Sequence, residues 1–391
     1  MLLIKYGGED MISKFMAPEI IFGDHSIQQT GESFLRLGAQ RVLVVSDPGV
    51  KEAGWTAQAV ESIQTSGLDY HLFSNISTNP DTNQVVEGVE AYHKARCDAV
   101  LGIGGGSALD VAKAVAVIVS NGGRIEDYEG VDHIHSPLPP VIMVPTTAGS
   151  GSEVSQFSII VDPERKKKMT IVSKSLVPDI AIVDPFVLMT KDHLLTAATG
   201  LDAITHGIEA YVSAAATPLT DVHAVNAMKL AAEFLRPSVA SHTNVEAKRA
   251  MAMASMQAGL AFSNAILGAV HAMSHAIGGR YALPHGEINS ILLPHVMEFN
   301  LIASPPRFAA IGDIFGASAG GEEMVRARHG IQAVRALADD IGAPKTLRSV
   351  GLRDPDFENM ARIALEDACM ITNPRDVALK DIEMLFKKAY E

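Results

Sequence analysis

Cysteine is scarce in this sequence: 391 residues contain two, Cys97 and Cys369. Two cysteines so far apart make no disulfide framework. Together with 16 methionines they fit a reducing interior, so the cytoplasm is the expected location. Positive charge is also in short supply. Lys and Arg number 32 against 45 Asp and Glu, a net charge of −13, with no basic stripe or arginine-rich arm, which speaks against a nucleic acid or an anionic membrane surface as partner. Long apolar runs are missing too. The most apolar window, residues 111–119, is short and contains Lys113, which predicts no membrane span. Residues 1–10 carry one Lys, then Glu9 and Asp10, with no apolar stretch of signal-peptide length. Repeats and low-complexity tracts are absent as well. What fills the chain is core material, 47% hydrophobic residues at a mean hydropathy of +0.16, enough for two domains that act on small ligands.

The first half alternates short β-branched runs with helical patterns. Strands are predicted over 16–21, 41–46, 70–73, 99–103, 140–145 and 180–183, with helices over 26–38 and 83–96 and a hairpin pairing 157–161 with 168–172. The run from Arg41 is apolar throughout, as in a strand buried on both faces of a parallel sheet. It ends at Asp47, an acid placed to accept from both ribose hydroxyls of an adenine dinucleotide and to repel a 2′-phosphate. Asp47-Pro48-Gly49 is equally good turn chemistry by itself. Further on, Gly104-Gly105-Gly106 joins a buried strand directly to a helical pattern. Such glycines let backbone approach a pyrophosphate, and the new helix's free N–H groups and dipole neutralise it. The spacing is not Gly-x-Gly-x-x-Gly, because Ser107 stands where the last glycine would be. Thr146-Thr147-Ala148-Gly149-Ser150 then gathers hydroxyls at another strand's carboxyl end, suited to a phosphate, a ribose or a nicotinamide amide. The basic run at 165–168 reads as a solvated loop unless it touches the cofactor.

After about residue 190 long helical patterns take over, which sets a domain boundary near 188. One of these helices carries Asp202 and His206 four residues apart, hence on one face, and another carries His271 and His275 at the same spacing. A glycine break leads on to Pro284-His285-Gly286. Asp202, His206, His271 and His285 thus make four ligands, one carboxylate and three imidazoles. Without thiolates the set suits a catalytic divalent ion, ferrous iron or zinc, better than a structural zinc knot.

Taken in order, these pieces resemble the iron-containing (group III) alcohol dehydrogenase family over essentially the full length. The motifs are Gly104-Gly105-Gly106-Ser107-x-x-Asp110, Pro145-Thr146-Thr147-Ala148-Gly149-Ser150, the block from Gly200 to Tyr211, His271-x-x-x-His275, Pro284-His285-Gly286 and Asn373-Pro374-Arg375. The resemblance implies an amino-terminal Rossmann-like α/β domain, 1–188, followed by a carboxyl-terminal all-helical domain, 189–391, in a dehydroquinate synthase-like fold with the active site in the cleft between. It implies NAD(H) and one divalent metal, Fe(2+) ahead of Zn(2+), held by Asp202, His206, His271 and His285. Cofactor contacts are expected at Asp47, Asn79, Gly105, Gly106, Ser107, Thr146, Thr147, Ser150 and Lys168. His275 matches the family's non-ligand active-site histidine. Phe157, Phe262 and Cys369 fall at substrate-pocket positions, although Cys369 could equally be a packed small hydrophobe. The expected reaction interconverts a small primary alcohol and its aldehyde in a homo-oligomeric enzyme. A polyol dehydrogenase, a lyase similar to dehydroquinate synthase and a non-catalytic NAD sensor are the alternatives.

Overall fold

The computed structural model describes residues 14–281, 283–316, 321–353 and 356–391. Nine strands are present among them: β1 (Glu19–Phe22), β2 (Arg41–Ser46), β3 (Asp69–Phe73), β4 (Ala99–Gly104), β5 (Gly130–Val131), β6 (Val141–Pro145), β7 (Phe157–Asp162), β8 (Lys167–Val172) and β9 (Ile180–Val183). Six of them form one sheet in the order β1-β9-β6-β4-β2-β3, parallel throughout. Its inner strands β4, β6 and β9 are buried along their whole length, whereas edge strand β3 exposes its first three residues. That is what continuous Val/Ile/Leu runs sandwiched between helices are expected to do. The helix Gly106–Asn121 follows β4 with no intervening loop, as its sequence pattern predicts.

β1 begins three residues later than the sequence suggests, and Pro18 gives the reason. Proline has no N–H to enter the ladder, so pairing starts where Glu19 N donates to Asp179 O at 3.0 Å. The expected hairpin is β7 with β8, antiparallel from Phe157↔Val172 to Asp162↔Lys167. A third strand, β5, joins it in parallel; at two residues it is too short to leave a periodic signal. At the hairpin turn Arg165 and Lys167 pair with Glu129, and Arg165 also pairs with Asp162. Two of the four cations in the basic run are thereby paired at the surface, and Lys168 turns inward.

Among the described residues all nine strands precede Asp184, and long helices follow, among them His193–Val212, Pro218–Ala240, Val245–Ala265, Ala269–Gly278 and His285–Asn300. The apolar core runs unbroken from the sheet into these helices, joining Val42, Leu101 and Ile182 with Leu201, Met228 and Ile291. No single helix among the described residues is long and apolar enough to cross a membrane.

Beneath the glycine loop lies a buried cation. Lys113 is 1% exposed, and its ammonium donates to Ser155 O (2.8 Å), Phe157 O (2.9 Å) and Ser155 Oγ (3.2 Å), tying the helix Gly106–Asn121 to the start of the hairpin. Burial pulls its pKa down to about 8 against the opposing pull of Asp110 and Glu153. Removing one member of a buried charge cluster leaves the others uncompensated, which typically costs about 3 kcal/mol or more. Lys113→Met should therefore lower the unfolding free energy by roughly that amount, read from denaturant or thermal unfolding. An unchanged midpoint would show that the ammonium is dispensable to the fold.

Candidate metal and cofactor site

The chain leaves β2 for β3 on one side and then crosses to β4 on the other, so the crevice of the sheet opens at the carboxyl ends of β2 and β4. Asp47 follows β2, and the glycine loop follows β4. The two approach so closely that a Cβ on Gly104 would lie 2.9 Å from Asp47 Oδ2. Asp47 is also the cap of the short helix Pro48–Glu52, accepting from Val50 N at 3.0 Å. It therefore serves as a turn residue and still stands half-buried at the crevice. Gly105 is the N-cap of the helix Gly106–Asn121, which points that helix's opening N–H groups at the crevice.

A cavity of about 300 Å³ runs from this loop to the carboxyl-terminal helices. Asn79, Gly105, Gly106, Ser107, Thr147, Ser150 and Lys168 line it, as do Asp202, His206, His271, His275 and His285, and Phe157, Phe262 and Cys369. Asp47 and Thr146 lie outside its wall. Thr146 N donates to Gly104 O at 2.8 Å, and its side chain is fully buried with no partner for Oγ1 among the described residues; Thr147, one residue on, presents to the cavity instead. Lys168 sits in the wall with its pKa drawn down to about 8 by burial, opposed by Asp110 and Asp202. Burial raises Asp110 to about 6, opposed by Lys113 and by a 2.7 Å hydrogen bond from Ser152 Oγ.

Three helices supply the ionisable cluster: His193–Val212 brings Asp202, His206 and Glu209, Ala269–Gly278 brings His271 and His275, and His285–Asn300 brings His285. Ligand atoms of Asp202, His271 and His285 all lie within 4.8 Å of one another. His206 is the outlying member, its ring stacked on His271 at 4.5 Å between centroids. Each of these imidazoles is held from behind through Nδ1. His206 meets Gly149 O at 3.0 Å, His271 meets Glu209 Oε2 at 2.5 Å and His285 meets Ser274 Oγ at 2.9 Å. A carbonyl and a carboxylate only accept, so Nδ1 carries a proton in the first two, and Nε2 is the ring nitrogen turned toward the other members of the cluster. Burial lowers His206 to about 4 and His285 well below the usual histidine range. His271 goes the other way, up to about 9, because Asp202 and Glu209 outweigh its burial. Burial also opposes ionisation of Asp202, but the imidazoles of His206, His285 and His271 hold its carboxyl well below the usual range.

Glu209 was not singled out by sequence, although it lies three residues after His206 on the same helix. Its Oε1 accepts from Val270 N at 2.7 Å at the very start of the helix Ala269–Gly278, while Oε2 takes His271. Asn373 completes that helix start, with Oδ1 accepting from Ala269 N at 3.2 Å, which gives the Asn373-Pro374-Arg375 motif a structural role. The preceding helix bends by 100° into this one through Ile266, a β-branched residue at φ +62°, a conformation that costs energy and concentrates at functional sites. Asp367 was missed as well: its Oδ2 lies 2.9 Å from His275 Nδ1, which leaves Nε2 as the free ring nitrogen. Asn289 is the third omission, its side chain in contact with Asp202, His271 and His285.

Residues 17–185 match the iron-containing alcohol dehydrogenase family, and residues 196–390 match the carboxyl-terminal part of the same family. The chain belongs to the iron-containing alcohol dehydrogenase family. Family membership makes it an oxidoreductase that works between alcohol and aldehyde with a nicotinamide cofactor and a metal. It is 40% identical to the NAD-dependent methanol dehydrogenase of Bacillus methanolicus over 97% of this chain and 100% of that one. It is 39% identical to the 1,3-propanediol dehydrogenase of Citrobacter freundii over 96% and 98%. The crystal structure of a 1,3-propanediol oxidoreductase superposes with a TM-score of 0.94 at 38% identity, covering 97% of this chain and 100% of the other.

The family motif Pro284-His285-Gly286 has a packing reason here. A Cβ on Gly286 would fall 2.3 Å from Ala198 O, so the helix bearing His285 sits backbone-to-backbone against the helix bearing Asp202. Forcing a methyl into so close a contact typically costs about 1–3 kcal/mol. Gly286→Ala should lower thermal stability and release bound metal to a chelator faster than the parent. Unaltered melting and metal retention would show that the close approach is not needed.

Proposed function

We propose that this cavity interconverts a short-chain primary alcohol and its aldehyde with NAD(H), and that Asp202, His206, His271 and His285 hold one ferrous ion in it. One observation carries the reading: a buried carboxylate and imidazoles fixed through Nδ1 converge in the cavity that the glycine loop also lines. One carboxylate oxygen and three imidazole nitrogens with no thiolate fit such an ion, and iron is favoured by the family's own description. When bound, the metal polarises the substrate oxygen and the nicotinamide exchanges the hydride.

The chain's own residues do the placing. Gly105, Gly106 and Ser107 cradle the pyrophosphate on the helix start, and Asn79, Thr147 and Ser150 offer hydrogen bonds to the ribose and nicotinamide end. Lys168 supplies positive charge beside the phosphates. Asp47 meets the adenosine ribose from outside the cavity, and Thr146 supports the loop from behind. Phe157, Phe262 and Cys369 form an apolar wall that limits substrate size. His275, backed by Asp367, relays a proton between the substrate oxygen and solvent. We place the domain boundary near residue 188, supported by the end of the strands at Val183 and the start of long helices at His193. A cytoplasmic setting is supported by two free, buried cysteines. A homo-oligomer is supported by apolar side chains left exposed, such as Val222 and Ile371.

Asp202→Ala should strip the metal and abolish turnover, whereas His275→Ala should keep its metal and lose about 10²–10⁴ in rate. Metal stoichiometry measured beside turnover separates the two, and full occupancy with full activity in Asp202→Ala would sink the ligand assignment. NAD(H) should be preferred over NADP(H), because the Asp47 carboxylate repels a 2′-phosphate. Asp47→Gly should narrow the ratio of kcat/KM values for the two cofactors by about tenfold. A parent that already uses both equally would leave Asp47 as a helix cap alone.

A further inference from the structure

Asn289 lies one helical turn after His285 on the same face of the helix His285–Asn300 and is fully buried. Its amide nitrogen stands where the ligand atoms converge, 2.7 Å from Asp202 Oδ1, 3.1 Å from His271 Nε2 and 3.1 Å from His285 Nε2. An amide carries two hydrogens, so three acceptors share two donors. Asp202, His271 and His285 are the same three residues whose ligand atoms converge within reach of one cation. At the other end of the same amide, Oδ1 is buried without a partner among the described residues, an arrangement that is unfavourable for a buried acceptor. The side chain thus spends its donor end on the ligand atoms and leaves its acceptor end idle.

We propose that Asn289 is a fifth, reversible partner of the metal centre: its amide N–H donors hold Asp202, His271 and His285 together until a cation competes for them, and the amide then turns over so that Oδ1 faces the ion. The two ends of an amide are nearly the same size, so a half-turn exchanges them without repacking the neighbours. The proposal rests on the metal reading above and extends it to selectivity. A second oxygen donor takes the protein's own set past the four that zinc prefers and toward the higher coordination that ferrous iron accepts.

The test loads the purified protein with Co(II) as a spectroscopic probe, records its visible d–d bands, and follows metal release to a chelator in the parent, Asn289→Leu and Asn289→Asp. Leucine keeps the shape and removes both polar ends, whereas aspartate keeps an oxygen and drops the donors. Asn289→Leu should release metal about 10–100-fold faster, and its Co(II) bands should intensify toward the four-coordinate pattern. Asn289→Asp should keep the parent's bands and release metal more slowly than the parent. Parent-like bands and release in Asn289→Leu overturn the proposal, as does release from Asn289→Asp that is no slower than the parent. Should the leucine variant fail to fold, the aspartate variant alone decides. Asp202→Ala serves as the control: if it retains Co(II) as the parent does, the ligand assignment itself has failed, an outcome distinct from a failure at Asn289.

Discussion

The carboxylate of Glu209 fixes the geometry on which the helical part of the site depends. One oxygen closes the amino-terminal end of the helix Ala269–Gly278 through Val270 N, and the other orients His271 through Nδ1. A carboxylate at a helix start is stabilised by the unpaired N–H groups and dipole there. The same contact sets the position of the helix and the rotation of the ring. Because Glu209 itself belongs to the helix that carries Asp202 and His206, that helix and the one bearing His271 and His275 are joined through a single buried group. Asn373 and the bend at Ile266 finish that helix start from the other side.

Against this rigid half stands a cavity wall made largely of backbone. Glycines and hydroxyls at the ends of parallel strands give the cofactor side its closeness of approach, and the charges beneath them are few and mutually balanced. Lys113 acts electrostatically on Asp110 and Glu153 from below, and Lys168 lines the cavity under the influence of Asp110 and Asp202. The overall acidity of the chain is therefore not repeated in the crevice, where anionic cofactor phosphates would otherwise be repelled.

Local geometry explains what could be read from sequence. Asp202 with His206 and His271 with His275 stand out because spacing by four on a helix is a near-neighbour property, and the parallel sheet stands out because its strands are apolar on both faces. Contacts between distant segments left no such trace. Glu209 meets His271 across 62 residues, Asn289 meets Asp202 across 87 and Asp367 meets His275 across 92. Thr146 and Thr147 look interchangeable in sequence. The extra hydrogen bond from Thr146 N to Gly104 O continues the strand register by one residue, and alternation then sends one side chain inward and the next to the cavity. Pro18 moved the start of β1 in a comparable way, by withholding a donor.

The separation of the candidate ligands along the chain also decides what brings them together. Asp202 and His206 share a helix, but His271 and His285 stand beside them through the close backbone approach at Gly286 and the contacts of Glu209 with the next helix. No single helix carries all four of these side chains. The four side chains therefore stand together only where the tertiary fold has joined these helices, and the site is a property of the folded chain rather than of any one segment.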